Sequence, residues 1–401
     1  MKHFVIVGAG FGGLYMAYEL LKHKYHVLLI EKNKELGGRM YTEEVHIDNQ
    51  TFYIEGGAGV IRSDEDDMIG LLKELDIPVS FWKSKTKIIY HDKKSKVLDY
   101  DYRKILNKIC RYSCNNKSFF EILDEANISK DEKIGVMIGT TYSELFDANS
   151  KDVCDENDFN EFLLDNEYEF GKPKAWKQLT DRLEEEILKM NGKILRDTSV
   201  TEIGNNYVRT NKNDKYTFDE LIVTCPYHFM KKIKTPSTLS SWRKFMDKYH
   251  HETDYLRVYS YFEEPLEMDG KIATNLSIRR VIPINKQLIM TVYTDGIDAT
   301  DIYRLHKDEK KLNLFIEKEM EKLLGRKIPK IKKSWSIFWD KGISNWKPSP
   351  YSVEKMVEMA RNPVDHIYFC GDTYSIHPGW LEGVMESCEF ILDEFTSNCG
   401  K

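Results

Sequence analysis

Apolar positions along the chain fall into two recurring patterns. Phe4-Val5-Ile6-Val7 is a short unbroken apolar run, the pattern of a strand buried on both faces. Residues 13–24 follow with Leu14, Ala17, Tyr18 and Leu21 at helical spacing, and His26 to Glu31 closes a second apolar strand. Strand, helix and strand in this order predict a βαβ unit. Ser63 with Asp66 has capping-box spacing, and Met68, Ile69, Leu72 and Leu75 continue it as a helix. Residues 80–102 alternate like strands and 103–168 read mostly as helix. Residues 174–191 are amphipathic. Short strand patterns return at 193–198, 206–210 and 221–224. Tyr255 to Phe262 alternates, which puts Tyr255, Arg257, Tyr259 and Tyr261 on one face, and 271–294 continues the strand pattern. After a helical stretch at 301–325, a strand over His366 to Cys370 leads through Gly371-Asp372 to a helix from about Trp380 to Phe395.

The length of 401 residues exceeds what one small core fills and suits two interleaved domains. Charged residues at 31% and hydrophobic residues at 41% are those of a globular chain. A formal net charge of −6 argues against a general pull on nucleic acid, and no apolar run is long enough to span a bilayer. The seven cysteines, Cys110, Cys114, Cys154, Cys225, Cys370, Cys388 and Cys399, are odd in number and scattered. They do not resemble a disulfide framework, and with no secretory signal they imply a cytoplasmic protein. Cys110 and Cys114 could share a helix face, but two thiols do not make a zinc site, and no metal site is expected.

Gly8-Ala9-Gly10-Phe11-Gly12-Gly13 matches the dinucleotide fingerprint and stands where its chemistry requires, between strand and helix. Gly8 allows the tight turn, Gly10 lets a pyrophosphate approach the backbone, and Gly13 lets the helix pack on the strand. The helix N-terminus offers unpaired N–H groups to phosphate. Glu31, 18 residues beyond Gly13 and followed by Lys32, can accept both hydroxyls of an adenosine ribose and would repel a 2′-phosphate. The fingerprint alone leaves NAD and FAD both open.

Further motifs separate them: Leu36-Gly37-Gly38-Arg39, Glu55-Gly56-Gly57-Ala58, Tyr368-Phe369-Cys370-Gly371-Asp372 and Gly379-Trp380-Leu381-Glu382-Gly383. Together they resemble the flavin-containing monoamine oxidase family, most strongly over 4–76 and 366–395. The resemblance implies an α/β fold with a Rossmann-like FAD domain of the GR2 type. The FAD domain would be built from 1–78, 190–235 and 355–401. A substrate domain of mixed sheet and helical cap would come from 79–189 and 236–354. It implies that Glu31 binds ribose, that Gly38 and Arg39 lie at the pyrophosphate, and that Gly56, Gly57 and Ala58 lie by the flavin ring. Val200 would pair with adenine, Gly371 and Asp372 would lie near ribitol and pyrophosphate, and the helix start at Trp380-Leu381 would face the flavin N1/C2 oxygen edge. The family's covalent cysteine has no counterpart in Gly342 to Trp346, so FAD is expected to bind non-covalently.

The resemblance also implies oxidation of a C–N bond of a small amine, with molecular oxygen as acceptor and peroxide released. Trp380 and, by looser alignment, Trp346 match the family's two aromatic walls. Arg257 stands where the family has a lysine. Arginine keeps its charge and cannot serve as a base, yet it can grip a carboxylate. His377 precedes Trp380 in the same loop. Three alternatives stay open: an L-amino-acid oxidase in which Arg257 binds the substrate carboxylate, a flavin-dependent mutase, and a catalytically silent flavin-binding protein. The sequence carries no signal of oligomeric state.

Overall fold

The computed structural model describes residues 2–140, 143–155 and 169–396. They form two compact units: 2–81, 171–250 and 352–396 in the first, and 82–140, 143–155, 169–170 and 251–351 in the second.

The first unit is built on β1 (His3–Val7), α1 (Phe11–Lys22), β2 (His26–Ile30), α2 (Asp66–Glu74), α3 (Lys177–Lys189), β3 (Lys193–Leu195), β4 (Glu220–Val223), β5 (Ile367–Phe369) and α4 (Leu381–Thr396). Its sheet runs β3-β2-β1-β4-β5 with every neighbour parallel. Parallel strands need both faces covered, and four of the five residues in β1 and in β2 are buried. α1 lies between α3 and α4. Leu14, Ala17 and Leu21 of α1 share one core with Leu179, Leu183 and Ile187 of α3 and with Cys388 and Ile391 of α4. Phe4 meets Phe395 edge-on at 4.9 Å, which ties the first strand to the last helix.

Sequence reasoning assigned 79–189 and 236–354 to the substrate domain, and this unit differs at both borders. The apolar stripe of α3 is buried against α1, and Trp242 stacks on Phe369 at 4.1 Å, so 171–189 and 236–250 pack with the nucleotide-binding sheet. The expected helix start at Ser63 also moves. α2 begins at Asp66 with Glu65 as its N-cap residue and no side-chain cap, because Glu65 turns back toward Arg62.

The second unit carries a seven-stranded mixed sheet in the order Ile331–Trp346, His250–Phe262, Leu288–Asp295, Arg280–Pro283, Lys271–Thr274, Thr86–His91, Ser95–Val97. One core lies between Leu256, Val258, Phe262 and Val292 of the sheet and Leu312, Ile316, Met320 and Leu323 of the helix Glu309–Leu324. A second core joins Ile88 and Ala273 to the short helices between Tyr102 and Asp155, among them Ile105, Ile109, Phe119 and Val153. The cysteine expectation fails here, since Cys110 and Cys154 form a disulfide. Cys110 ends the helix Tyr102–Ile109 and Cys114 lies in the loop beyond it, so the two do not share a helix face. The expected helical pattern over 156–168 lies outside the described residues. No helix among the described residues is long and apolar enough to cross a membrane.

Candidate functional site

Gly8 adopts φ +102°, which a side chain would resist, and turns β1 into α1. A Cβ on Gly13 would come within 1.9 Å of the Gly8 carbonyl oxygen, so α1 seats on the turn only because residue 13 has none. A Cβ on Gly10 meets nothing closer than 3.9 Å, leaving open space in front of the helix N-terminus. Phe11 turns its ring into the core beside Tyr15.

Glu31 is buried at the end of β2. Its Oε2 accepts the Ala9 N–H at 2.7 Å and its Oε1 accepts the Asn33 N–H at 2.9 Å. The carboxylate therefore holds the glycine turn in place and keeps lone pairs on both oxygens for further donors. Lys32 is exposed, with its ammonium on the Phe229 ring at 3.4 Å. Val200 is buried and pairs with Thr210, where the ladder shifts register before Glu202.

The second glycine turn closes over the first. Gly10 and Gly37 form a bridge, Gly37 N–H donates to the Ala9 carbonyl at 2.8 Å, and a Cβ on Gly38 would lie 3.1 Å from the Gly10 Cα. The third turn sits on Arg39: Ala58 N–H donates to the Arg39 carbonyl at 3.0 Å, and a Cβ on Gly57 would stand 1.8 Å from that oxygen. Gly56 N–H donates to the Tyr41 carbonyl at 2.7 Å.

The far end of the chain reaches the same place. A Cβ on Gly12 would lie 3.5 Å from the Gly371 Cα and 3.1 Å from Val384 of α4. Gly371 N–H donates to Ser387 Oγ at 2.7 Å. Asp372 is buried. It accepts Arg39 Nη1 at 2.7 Å and the Gly379 N–H at 2.5 Å. Arg39 and Asp372, expected as separate contacts to one nucleotide, thus form an ion pair across the turn. His377 N–H donates to Ser375 Oγ at 2.8 Å, which folds the loop tightly over the first turn of α4. Leu381 packs on the core, and Trp380 is partly exposed at the helix start.

Sequence reasoning missed a charged cluster beside Trp380. Arg62, 4% exposed, donates from Nε to Asp64 at 3.2 Å and from Nη2 to Glu382 at 3.2 Å, and its guanidinium lies 5.2 Å from the Trp380 ring centre. Glu65, 1% exposed, lies 3.6 Å from the same Nε. Burial pushes the Glu65 carboxyl up to about 7, outweighing the pull of Arg62, and burial also raises Glu382. The run Arg62-Ser63-Asp64-Glu65-Asp66-Asp67 looks like a solvated turn. Its one signal was position, directly after the Gly56-Gly57-Ala58 turn.

Arg257 and Trp346 belong to the second unit. Arg257 is buried, with its guanidinium 4.8 Å from the Tyr293 ring and 5.4 Å from Tyr255, and the Arg280 guanidinium lies 6.0 Å from the Tyr293 ring. Leu256 and Val258 point into the helix-covered core, so the alternation predicted for this strand holds at Arg257. Trp346 is only 1% exposed, and its carbonyl accepts the Asn149 N–H at 2.8 Å.

A family model described as an NAD(P)-binding Rossmann-like domain matches residues 6–75. An L-amino acid oxidase of Cerastes cerastes is 23% identical over an alignment of 456 positions, covering 96% of this chain and 85% of that one. Over nearly its whole length the chain is thus similar to a FAD-dependent amine oxidase of the L-amino acid oxidase kind. Solved structures of putrescine oxidase share its fold. A redesigned form has a TM-score of 0.79 at 14% identity, and the wild type bound to putrescine has 0.77 at 13%, each covering 99% of both chains. A lysine-specific histone demethylase 1 homolog 2 of Oryza sativa subsp. japonica is 33% identical over 89 residues. That match covers 22% of this chain and only 11% of the relative's length. The cradle described above fits a flavin nucleotide. Its glycines leave room at Gly10, and the Glu31 carboxylate keeps acceptor capacity for a further donor.

Proposed function

We propose that this protein oxidises the C–N bond of a small amine, using non-covalently bound FAD and molecular oxygen. The adjacency of Gly12 and Gly371 carries the reading, because it makes one cradle from the fingerprint turn and the C-terminal Gly-Asp turn. Glu31 would hold the adenosine ribose, and Val200 the adenine through its backbone. Gly10, Gly38, Arg39, Gly371 and Asp372 would take the pyrophosphate and ribitol, with Gly56, Gly57 and Ala58 by the ring. FAD, when bound, supplies the acceptor for the hydrogen leaving the carbon next to nitrogen. Trp380 at the start of α4 orients the substrate, and the helix N-terminus supplies fixed positive potential. His377 shapes the loop that carries Trp380. Trp346, fully packed, supports its strand rather than presenting an indole face.

A second reading has a specific observation behind it. Arg257 and Arg280 are two buried guanidinium groups near one ring, Tyr293, and paired guanidinium groups suit a carboxylate. In that reading the substrate is an amino acid and Arg257 holds its carboxylate. The full-length L-amino acid oxidase relative is consistent with it.

Anaerobic mixing of the yellow protein with benzylamine, putrescine and L-leucine tests the proposal. Bleaching by an amine, with peroxide formed on re-aeration, supports it; bleaching by L-leucine alone shifts the assignment to the second reading. No bleaching by any of a broad amine and amino-acid panel refutes both. Acid precipitation should leave the yellow colour in the supernatant.

A further inference from the structure

Trp380 is the one residue of the proposed substrate wall that lies beside a buried ionic cluster. Its indole is partly exposed, and an exposed indole has several rotamers open to it. Arg62 removes that freedom. Its guanidinium lies 5.2 Å from the ring centre, within cation–π range, while Nη2 donates to Glu382, two residues beyond Trp380 in the first turn of α4. One side chain thus touches both the indole and the helix that carries it.

Arg62 is held from behind. Glu65 Oε1 accepts the Arg62 backbone N–H at 3.2 Å and stands 3.6 Å from Nε, and the Glu65 N–H donates to the Arg62 carbonyl at 3.2 Å. The other oxygen of Glu65 is buried and has no hydrogen-bond partner among the described residues. A carboxyl with one satisfied and one bare oxygen in a dry site is the member of the cluster whose charge is least secure.

We propose that Arg62, anchored by Glu65 and Glu382, is the positioning residue of Trp380, and that the charge on Glu65 governs how firmly it holds the indole. With Glu65 protonated, the guanidinium has fewer anionic partners and its charge turns toward Glu382 and the indole face. With Glu65 ionised, it draws the guanidinium back. The groups facing this switch are Arg62 and Asp64 on its own segment, Asp67 on α2, and Glu382 and His377 at the start of α4. Since burial lifts Glu65 to about 7, the change falls in the neutral range, firm below it and looser above. The effect on turnover rests on the reading of Trp380 as a substrate wall; the positioning itself does not.

The test is fluorine NMR of the full flavin-loaded chain with 5-fluorotryptophan at its seven tryptophans. The resonance missing from Trp380→Phe is assigned to Trp380. It should titrate with a midpoint near pH 7 in the wild type and stop titrating in Glu65→Gln, which keeps shape and removes charge. Arg62→Lys, which keeps the charge without the flat fork, should displace the resonance. A Trp380 signal that ignores pH, or that still titrates in Glu65→Gln, overturns the proposal. If Glu65→Gln does not fold, the wild-type titration decides alone: a flat Trp380 signal refutes the proposal, and a midpoint near 7 supports it. In turnover of benzylamine, Arg62→Lys should raise KM about tenfold with kcat little changed. Failure of benzylamine, putrescine and L-leucine to bleach the flavin would strike the substrate-wall reading and leave the resonance result standing.

Discussion

Gly10→Ala and Gly13→Ala separate a glycine kept for a ligand from one kept for packing. Residue 10 has φ −68° and ψ 179°, an extended backbone any residue adopts, and a Cβ there meets nothing within 3.9 Å. Alanine at this helix cap loses about 0.5–1 kcal/mol to capping preference. It recovers about 0.4–1 kcal/mol by restricting the unfolded chain. The flavin-free protein should therefore keep its stability to within about 1 kcal/mol. The added methyl nevertheless stands where a phosphate must meet backbone N–H groups. Overlap of that kind costs about 1–3 kcal/mol, a weakening of FAD binding of about five- to 150-fold. Gly13→Ala behaves differently. Its Cβ at 1.9 Å from the Gly8 carbonyl oxygen forces α1 back by about 1 Å or more, which harms stability and binding together. Urea unfolding of the flavin-free proteins and FAD titration by flavin fluorescence measure the two quantities. Wild-type FAD affinity in Gly10→Ala, or equal loss of stability in both variants, would refute the reasoning.

Glu65→Gln should flatten the dependence of stability on pH. The folded carboxyl at about 7 holds its proton above the unfolded value, so its contribution is full below about pH 4.5 and lost as pH rises through 7. The difference is on the order of 3 kcal/mol and is read from urea midpoints at pH 5 and pH 8. Glu31→Gln points an amide N–H₂ at the backbone N–H of Ala9 or Asn33, where the carboxylate accepted both. It should cost about 1–3 kcal/mol and lower the flavin content of the purified protein, measured by thermal melting and absorbance. Reducing the Cys110–Cys154 bond, or Cys110→Ser, opens a loop spanning 44 positions and should cost up to about 4 kcal/mol of the second unit's stability, seen in urea curves with and without reductant. Equal curves, or free thiols at both positions by mass mapping, would remove the disulfide from the description.

The nucleotide-binding half was legible because its signals are local. An apolar strand, a glycine turn, an amphipathic helix and a terminal acid stand in one short segment, and β1, α1, β2 and Glu31 lie as that pattern predicts. Gly371-Asp372 and the last helix were legible by motif, and the packing of α4 on α1 explains why the motif is there. Contacts between distant segments were not legible. The stripe of α3 announced an apolar face without naming its partner, and Cys110 with Cys154 carries no spacing signal. Arg62 and Glu65 were hidden because charged runs are usually solvated. Only the fold shows that this one turns inward, against an indole more than 300 positions along the chain.

The central sheet has a consequence for synthesis. β5, which pairs with β4, and α4, which packs on α1, come near the far end of the sequence, long after β1 and α1. At about 5–20 residues per second, a ribosome that has released β1 needs roughly 20–80 s more to deliver α4. During that interval one face of α1 and one edge of β4 stand open on the nascent chain. Capture of the nucleotide must therefore wait until α4 has left the ribosome.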